Sequence, residues 1–525
     1  MYCAGSNPIN NYKQICHDAA MDTSLPPLIA ALLQSGRFPG VVTQVELVQT
    51  HISWVLLAGD LAYKIKKPLH LSYLDFSTLA LRQHYCHEEL RLNRRFAPDI
   101  YLEVVSIFGT AQDPQWFGPG EPIEYAVKMR RFDESKRLDR LCARGALQAA
   151  HLSDLADTLV AFHQSATVAP ADSHFGQPAD LRSAALDNFT DLSQLLPDAA
   201  TQQRLVALRH WTETSYQQLA PLMHTRLQQG QVRECHGDLH LGNLVLINQR
   251  VRLFDGLEFN AALRWTDVAC EIAFTYIDLL AHAQPGLANW FLNEVLSRSG
   301  DYQGAQLLPF YAVYRALVRA KVAALRAQQT QASSTEALAY LALAEQLAAP
   351  PATQLLITHG LSGCGKTFVT NALLQRHDQP PTLRLRSDVE RKRLHGLAAT
   401  AHSGSAVASG LYAADAHTRT YKHLNTQARL LLRAGWSVVV DATFLRRDDR
   451  AAFAQLADDC GVRFGILAPS ATPAQLRERI LARAALGQDA SEATLAVLEQ
   501  QMNMLEPLTT QELHRCQAPG RLPTR

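Results

Sequence analysis

The sequence predicts two domains of unlike class: an α+β domain in which a small strand-rich part precedes a large helical part, and then an α/β domain built on a parallel sheet. Three observations predict this. The chain has 525 residues, which at roughly 100–200 residues per domain is more than one core can organise. Strand-like runs crowd the first quarter, and helical periodicity dominates the stretch after them, the order of a β-rich lobe on an α-rich one. Beyond residue 353, short apolar strands alternate with helices, the rhythm of βαβ units.

In chain order, VVTQVELV, ISWVLLAG and LAYKIKK alternate or run apolar and break at Gly or Pro, so they read as strands. LDFSTLALRQHYCHEELRLNRRFA has helical periodicity, and YLEVVSIFG and IEYAVKMRRF read as further strands. From Leu138 to Gln229 the pattern is mostly helical. Helices return after residue 267 through EIAFTYIDLLAHA, NWFLNEVLSRS and LLPFYAVYRALVRAKVAALRAQ. Leu338, Leu341, Leu343 and Leu347 mark one more helix, which Pro350-Pro351 stops. That seam sets the expected domains at 21–349 and 353–525. In the second, LLITHG, TLRLRS, GWSVVVDATF and VRFGILAP are the strands, and KTFVTNALLQRH is the helix after the first.

Composition excludes several classes. Fifty Lys and Arg balance forty-nine Asp and Glu, for a net charge of +1, whereas proteins that coat nucleic acid or anionic membranes need a basic excess. Nine cysteines are too sparse for a disulfide scaffold and indicate a reducing, cytoplasmic setting. The first twenty residues lack the basic and apolar regions of a signal peptide and read as a polar leader, with Met21 an alternative start. No apolar run approaches the roughly 18 residues of a membrane span.

GLSGCGKT at 360–367 fits G-x-x-x-x-G-K-S/T. Gly360, Gly363 and Gly365, with Ser362 and Cys364 between them, let backbone N–H groups converge on phosphate oxygens. Lys366 adds a point charge there, and Thr367 both opens the helix and offers a hydroxyl to Mg²⁺. Asp441 ends the apolar strand GWSVVVD, the position where, after such a phosphate loop, a carboxylate orients the metal or its water; the alternative is a common turn residue. Asp388 and Arg391 follow the second strand, facing the crevice at its carboxyl end. Asp388 reads either as the acceptor of a hydroxyl proton or as a helix N-cap. Arg479 and Arg483 lie i,i+4 on one helix face, as phosphate clamps or as surface charge. GLSGCGKT, SDVERKRL, VVVDATF and ERILARAALGQDASEA together resemble the P-loop small kinases, the group of AAA_33, zeta-toxin-like and polynucleotide kinase-like domains. The resemblance implies ATP as cofactor, Asp388 as base and Arg391 as a phosphate or acceptor contact.

A second constellation lies upstream. HGDLHLGN supplies His236, Asp238 and Asn243, and Asp255 follows in VRLFDGLEF. This spacing is the layout of a phosphotransfer loop: one carboxylate takes the acceptor proton, while an amide and a second carboxylate meet across a hairpin to hold Mg²⁺. The required lysine is Lys64 or Lys66 in LAYKIKK, with Lys64 preferred; Glu88 or Glu89 is its partner. The set resembles the aminoglycoside-phosphotransferase and choline-kinase branch of the protein-kinase-like fold, which implies a bilobal first domain and makes Asp267 a buttress of the catalytic loop. His84 and His87 flanking Cys86 read as helix-surface residues rather than a zinc site.

The domain order looks like a bacterial fusion family of an aminoglycoside phosphotransferase-like domain with a P-loop ATP-binding domain. The expected function is Mg-ATP-dependent phosphotransfer to a small-molecule hydroxyl by each domain. Two alternatives stand beside it. One domain regulates the other, or the second acts on polynucleotide 5′-hydroxyls, for which RLRSDVERKRL and RRDDR offer local positive charge.

Overall fold

A computed structural model describes residues 25–517 except 41, 72–73, 171–172, 350–351, 379, 400, 402–413 and 487–489. The leader, Met21 and Pro350-Pro351 lie outside the described residues. The chain forms two compact units: residues up to His282 with Phe310–Ala348, and Ala283–Pro309 with everything from Ala349 onward. The sequence placed all of 283–309 in the first domain. They belong to the second because the helix Pro285–Ser299 buries Ala288, Phe291, Leu292 and Val295 there. Its amides also complete an exposed sheet edge. Asn289 accepts from Thr382 N at 3.0 Å and donates to Leu374 O at 2.9 Å. Asn293 donates to Thr382 O at 2.9 Å and accepts from Arg384 N at 2.6 Å. An edge strand has a row of unpaired backbone groups, and the two asparagines satisfy three of them.

The first unit opens with an antiparallel sheet in the order 45–49, 53–58, 61–66, 124–130, 101–109 and 114–115. Leu61–Lys66 is central, with Lys64 opposite both Val55 and Val127. Strand alternation sends Tyr63 and Ile65 into a core with Ile29, Leu56, Trp116 and Ala126. Lys64 and Lys66 therefore point the other way, toward the helix Leu79–Asn93. That helix is capped by the Thr78 hydroxyl. Its buried stripe is polar, with Arg82, Cys86, Glu89 and Asn93 repeating at helical spacing. Arg82 is matched by buried Glu124 at 2.9 Å.

Helices dominate the rest of the unit, among them Ala149–Ser165, Ala199–Gln228, Val268–Ala281, Leu308–Thr330 and Thr335–Ala348. Embedded in them is the hairpin Leu244–Ile247 with Arg250–Leu253. Its two-residue turn puts Asn248 and Gln249 at φ 49° and 61°, the left-handed pair that matches the twist of a tight hairpin. This strand-then-helix order is the α+β architecture read from the sequence.

The second unit holds a parallel sheet in the order 382–386, 437–441, 354–358, 463–467. Leu355–Ile357 and Val438–Val440 are wholly buried, as expected of strands covered on both faces. The GLSGCGKT turn follows the strand Gln354–Thr358 and leads into the helix Lys366–Leu374, whose N-cap is Gly365 at φ +100°. Among the described residues no helix is long and apolar enough to cross a membrane.

Candidate functional site

In the second unit, Gln354–Thr358 and Ser437–Asp441 are adjacent parallel strands, so their carboxyl ends bring the Gly360 turn beside Asp441. The Thr367 hydroxyl donates to Asp441 Oδ2 at 2.9 Å, and Thr370 reaches the same oxygen at 3.3 Å. A hydroxyl and a buried carboxylate converging on one point form an oxygen donor set of the kind Mg²⁺ takes. Lys366 Nζ rests on the carbonyls of Gly360 and Leu361, at 3.0 and 2.9 Å. Gly363 must lack a side chain: at φ +85°, a Cβ would sit 3.0 Å from Leu476 O.

Two loop residues differ from expectation. Cys364 was counted among the nucleotide contacts, but its side chain is buried with Leu476, Ile480 and Leu498, and its N–H donates to Leu361 O. It packs the loop onto its support. The Ser362 N–H is taken by the Gln501 amide oxygen at 2.8 Å. Sequence reading missed Gln501, which lies far downstream of the motif.

Asp388 lies in the first turn of the helix Ser387–Leu394, whose N-cap is Arg386, so the N-cap reading of Asp388 does not hold. Arg391 pairs with it at 3.4 Å. Burial pushes the Asp388 carboxyl up, but Arg391 and Arg386 outweigh burial and hold it below the usual range, keeping it ionised. Arg479 reaches Gly363 O at 3.3 Å, while Arg483 donates to Ala493 O at 3.2 Å. Ser362, Gly363, Gly365, Lys366, Thr367, Asp388, Arg391, Asp441, Arg479, Arg483 and Gln501 line one cavity of about 410 Å³, whereas Gly360, Cys364 and Thr370 do not. Its wall also carries Arg386, Arg446 and a pair missed in the sequence, His417 and Asp449, joined at 3.0 Å.

In the first unit, Lys64 Nζ donates to Glu89 at 2.8 Å and pairs with Asp255. Lys66 also bonds Glu89, at 2.8 Å, and pairs with Glu258. Lys66, Glu89 and Glu258 are buried with Lys64, forming a four-member ion network. Burial pushes Lys64 down, yet Asp255, Glu89 and Glu258 raise it well above the ordinary lysine value. Glu88, an expected alternative partner, does not face either lysine. One residue round the helix from Glu89, it pairs with Arg91 at 2.9 Å and with Arg264.

Asn243 and Asp255 lie just beyond the two ends of the hairpin. Leu244 pairs with Leu253, and Phe254 N donates to Asn243 O at 3.0 Å. Asp255 sits at φ +59°, held by its N–H on Tyr101 Oη at 2.9 Å and by Gly256 N on Asn93 Oδ1 at 2.8 Å. The Asn243 amide reaches Asp238, at 2.9 Å to its carbonyl and 3.3 Å to its carboxylate. Burial pushes Asp238 up, but His240, Arg319 and His236 hold it well below the carboxylate range. The His236 ring stacks on Phe96. Its Nδ1 faces Asp238 N–H and its Nε2 faces Phe254 O, which fixes the proton on Nε2.

Asp267 does not buttress this loop. It pairs with buried Arg226 at 2.8 Å and caps the helix Val268–Ala281. The support comes from further along that helix, where Glu271, Thr275 and Asp278 share one face. Glu271 accepts from the N–H groups of His236 and Gly237, Thr275 donates to Leu239 O at 2.7 Å, and Asp278 accepts from Leu241 N at 2.8 Å. Burial pushes Glu271 up, but its bond to His163 and the nearby His236 bring it down to about 2. Glu271, His163 and Cys235 have metal-ligand spacing, but the carboxylate is already bound to the loop and burial drives the Cys235 thiol well up, away from the thiolate. His84 and His87 are exposed and Cys86 is buried, the helix-surface arrangement expected of them.

The first unit thus sets the strand of Lys64 and Lys66, the helix of Glu89 and the 244–253 hairpin over a helical lobe, the arrangement expected of a protein-kinase-like fold. The second is a P-loop domain. Residues 355–508 match the family model described as AAA domain, AAA_33. An uncharacterized protein of Mycobacterium tuberculosis is 29% identical over 455 residues, covering 86% of this chain and 89% of that protein. One from Mycobacterium bovis matches to the same extent. Among solved structures, a choline kinase from Cryptosporidium parvum is 12% identical, covers 61% of this chain and 94% of its own, and superposes at a TM-score of 0.39. A choline/ethanolamine kinase family protein from Mesorhizobium loti gives 13%, 62%, 96% and 0.39.

Proposed function

We propose that each unit binds Mg-ATP and transfers the γ-phosphoryl group to a hydroxyl of a small molecule. In each, the acceptor oxygen attacks phosphorus, the bond to the β,γ-bridging oxygen breaks, and ADP leaves. The acceptor proton passes to Asp238 in the first unit and Asp388 in the second. Both carboxylates are held ionised, Asp238 by its bond to His240 and by Arg319 and Asp388 by Arg391 and Arg386, so each can accept a hydrogen bond from the hydroxyl before it reacts. Lys64 and Lys366 bind phosphate oxygens. Mg²⁺ would be held by Asn243 and Asp255 in one unit and by Thr367 and Asp441 in the other, and when bound it neutralises phosphate charge.

The observation that carries this reading is the doubled convergence of an oxygen donor pair beside a phosphate-type lysine. Thr367 bonds Asp441 near Lys366. Asn243 and Asp255 flank the two ends of the hairpin, where Phe254 N donates to Asn243 O, and Asp255 pairs with Lys64. The test is mass-spectrometric screening of a metabolite extract incubated with the full chain and Mg-ATP. Products that gain one phosphate are expected, one set disappearing with Asp238→Asn and another with Asp388→Asn. An extract unchanged by the wild-type chain overturns the reading.

A further inference from the structure

We propose that the acceptor of the P-loop unit is a small alcohol that already carries a phosphate group. This rests on the phosphotransfer reading of that unit and goes on to name its substrate class. Among its described lining residues the cavity carries six permanent cations, Lys366, Arg386, Arg391, Arg446, Arg479 and Arg483, against three carboxylates, Asp388, Asp441 and Asp449. Magnesium-bound triphosphate brings a net charge of about −2, and a phosphomonoester adds about −1.5 to −2. The excess of three positive charges is larger than nucleotide alone requires and approaches the roughly −3.5 to −4 of the two together.

The cations also divide by place. Lys366 and Arg479 lie on the phosphate turn itself, on its carbonyl oxygens. Arg391 instead pairs with Asp388, at the proposed acceptor end, and Arg386 immediately precedes the same helix. Arg446, exposed, opens the helix Arg447–Asp459, one turn before Asp449. Asp449 is engaged by His417. Arginine, with its planar fork, suits bidentate capture of phosphate better than lysine does. A neutral acceptor would leave this arginine group at the Asp388 end with no ligand charge to meet. The cavity is of small-ligand size, about 410 Å³. Among its described lining residues only Phe368 and His417 carry rings, too few for a stacked single strand.

The test is calorimetry on the full chain. The first titration is Mg-AMP-PNP, with Lys366→Met as control. Uptake that this variant does not reduce would defeat the kinase reading itself. The loaded chain is then titrated with inorganic phosphate. Binding is expected, weakened roughly tenfold or more by Arg391→Gln and by the surface variant Arg446→Gln, with nucleotide affinity unchanged in Arg446→Gln. No phosphate uptake by the loaded chain, or affinity undiminished from wild type in both variants, overturns the inference while leaving nucleotide binding intact. A last arm offers glycerol, glycerol 3-phosphate, ribose, ribose 5-phosphate and a 5′-hydroxyl oligonucleotide as acceptors. Preference for a phosphorylated small alcohol over its parent supports the proposal. Preference for neutral parents or for the oligonucleotide refutes it.

Discussion

The two units hold their phosphate-type lysines in opposite ways. Lys64 is enclosed by carboxylates: Glu89 and Asp255 bond it directly, and Lys66 and Glu258 complete a buried network. Lys366 lies on two carbonyl oxygens and, among the described residues, makes no ion pair. In the first unit the lysine charge is therefore part of the folded framework, and on the proposed function a nucleotide would compete with Asp255 for it. In the second the charge is held by weak dipoles and is ready for an anion. The same chemical requirement is met once by the core and once by the loop.

Charge deletion separates these two designs. Lys66→Met leaves Glu89 and Glu258 buried with one cation fewer, and breaking one partner of a buried pair costs about 3–5 kcal/mol. Thermal unfolding monitored by circular dichroism should show a large drop in the first transition; an unchanged midpoint would break the comparison. Lys366→Met removes only two hydrogen bonds to carbonyls, so stability should change little. Nucleotide affinity at that site should fall by about 1.5–3 kcal/mol, the value of charge-assisted hydrogen bonds, as read by calorimetry. Loss of folding rather than of binding in Lys366→Met would reverse the assignment.

Acid sharpens the contrast further. Burial pushes Glu89 and Glu271 up, but Lys64 and Lys66 bring Glu89, and the His163 bond, His236 and the Gly237 N–H bring Glu271, down to about 2 in the folded state. An unfolded glutamate titrates near 4.3. The stability each contributes is thus complete above that value and is lost as pH falls through the interval down to about 2. Glu271→Gln should flatten the pH dependence of unfolding in that window, measured by tryptophan fluorescence from pH 6 to about 2. An unaltered slope would show that the carboxylate does not support the HGDLHLGN loop. The smallest effect belongs to Gln501→Ala. It frees the Ser362 N–H and should alter AMP-PNP affinity at the Lys366 site by about 1 kcal/mol or less, again by calorimetry.

Much of both sites was legible because their chemistry sits in contiguous stretches. GLSGCGKT fixes loop, lysine and metal hydroxyl within eight residues, and HGDLHLGN with Asp255 spans one hairpin whose turn geometry is local. Strand alternation alone put Lys64 and Lys66 on one face, but it could not divide their roles, because Glu258 lies 192 residues from Lys66. Choosing between Glu88 and Glu89 was within reach. Arg82, Cys86, Glu89 and Asn93 keep one helical stripe, and Glu88 falls outside it. Preferring Asp267 over Glu271 was a different failure. Both acids sit at the start of one helix, and only the fold of the preceding loop shows which turn it rests on. His417, Asp449 and Gln501 carry no local signal, since each acts across more than thirty residues. The placement of 283–309 was invisible because its helical pattern says nothing about which core receives it.

That placement has a consequence for dissecting the chain. The polypeptide leaves the first unit at residue 283, lends a helix to the second, returns at 310 and departs again at 349. A fragment begun at residue 350 would lose Asn289 and Asn293, baring the backbone of Thr382–Arg386 as a template for intermolecular pairing. No single scission liberates either half whole. A soluble P-loop half calls for circular permutation, with residues 283–309 grafted back onto it.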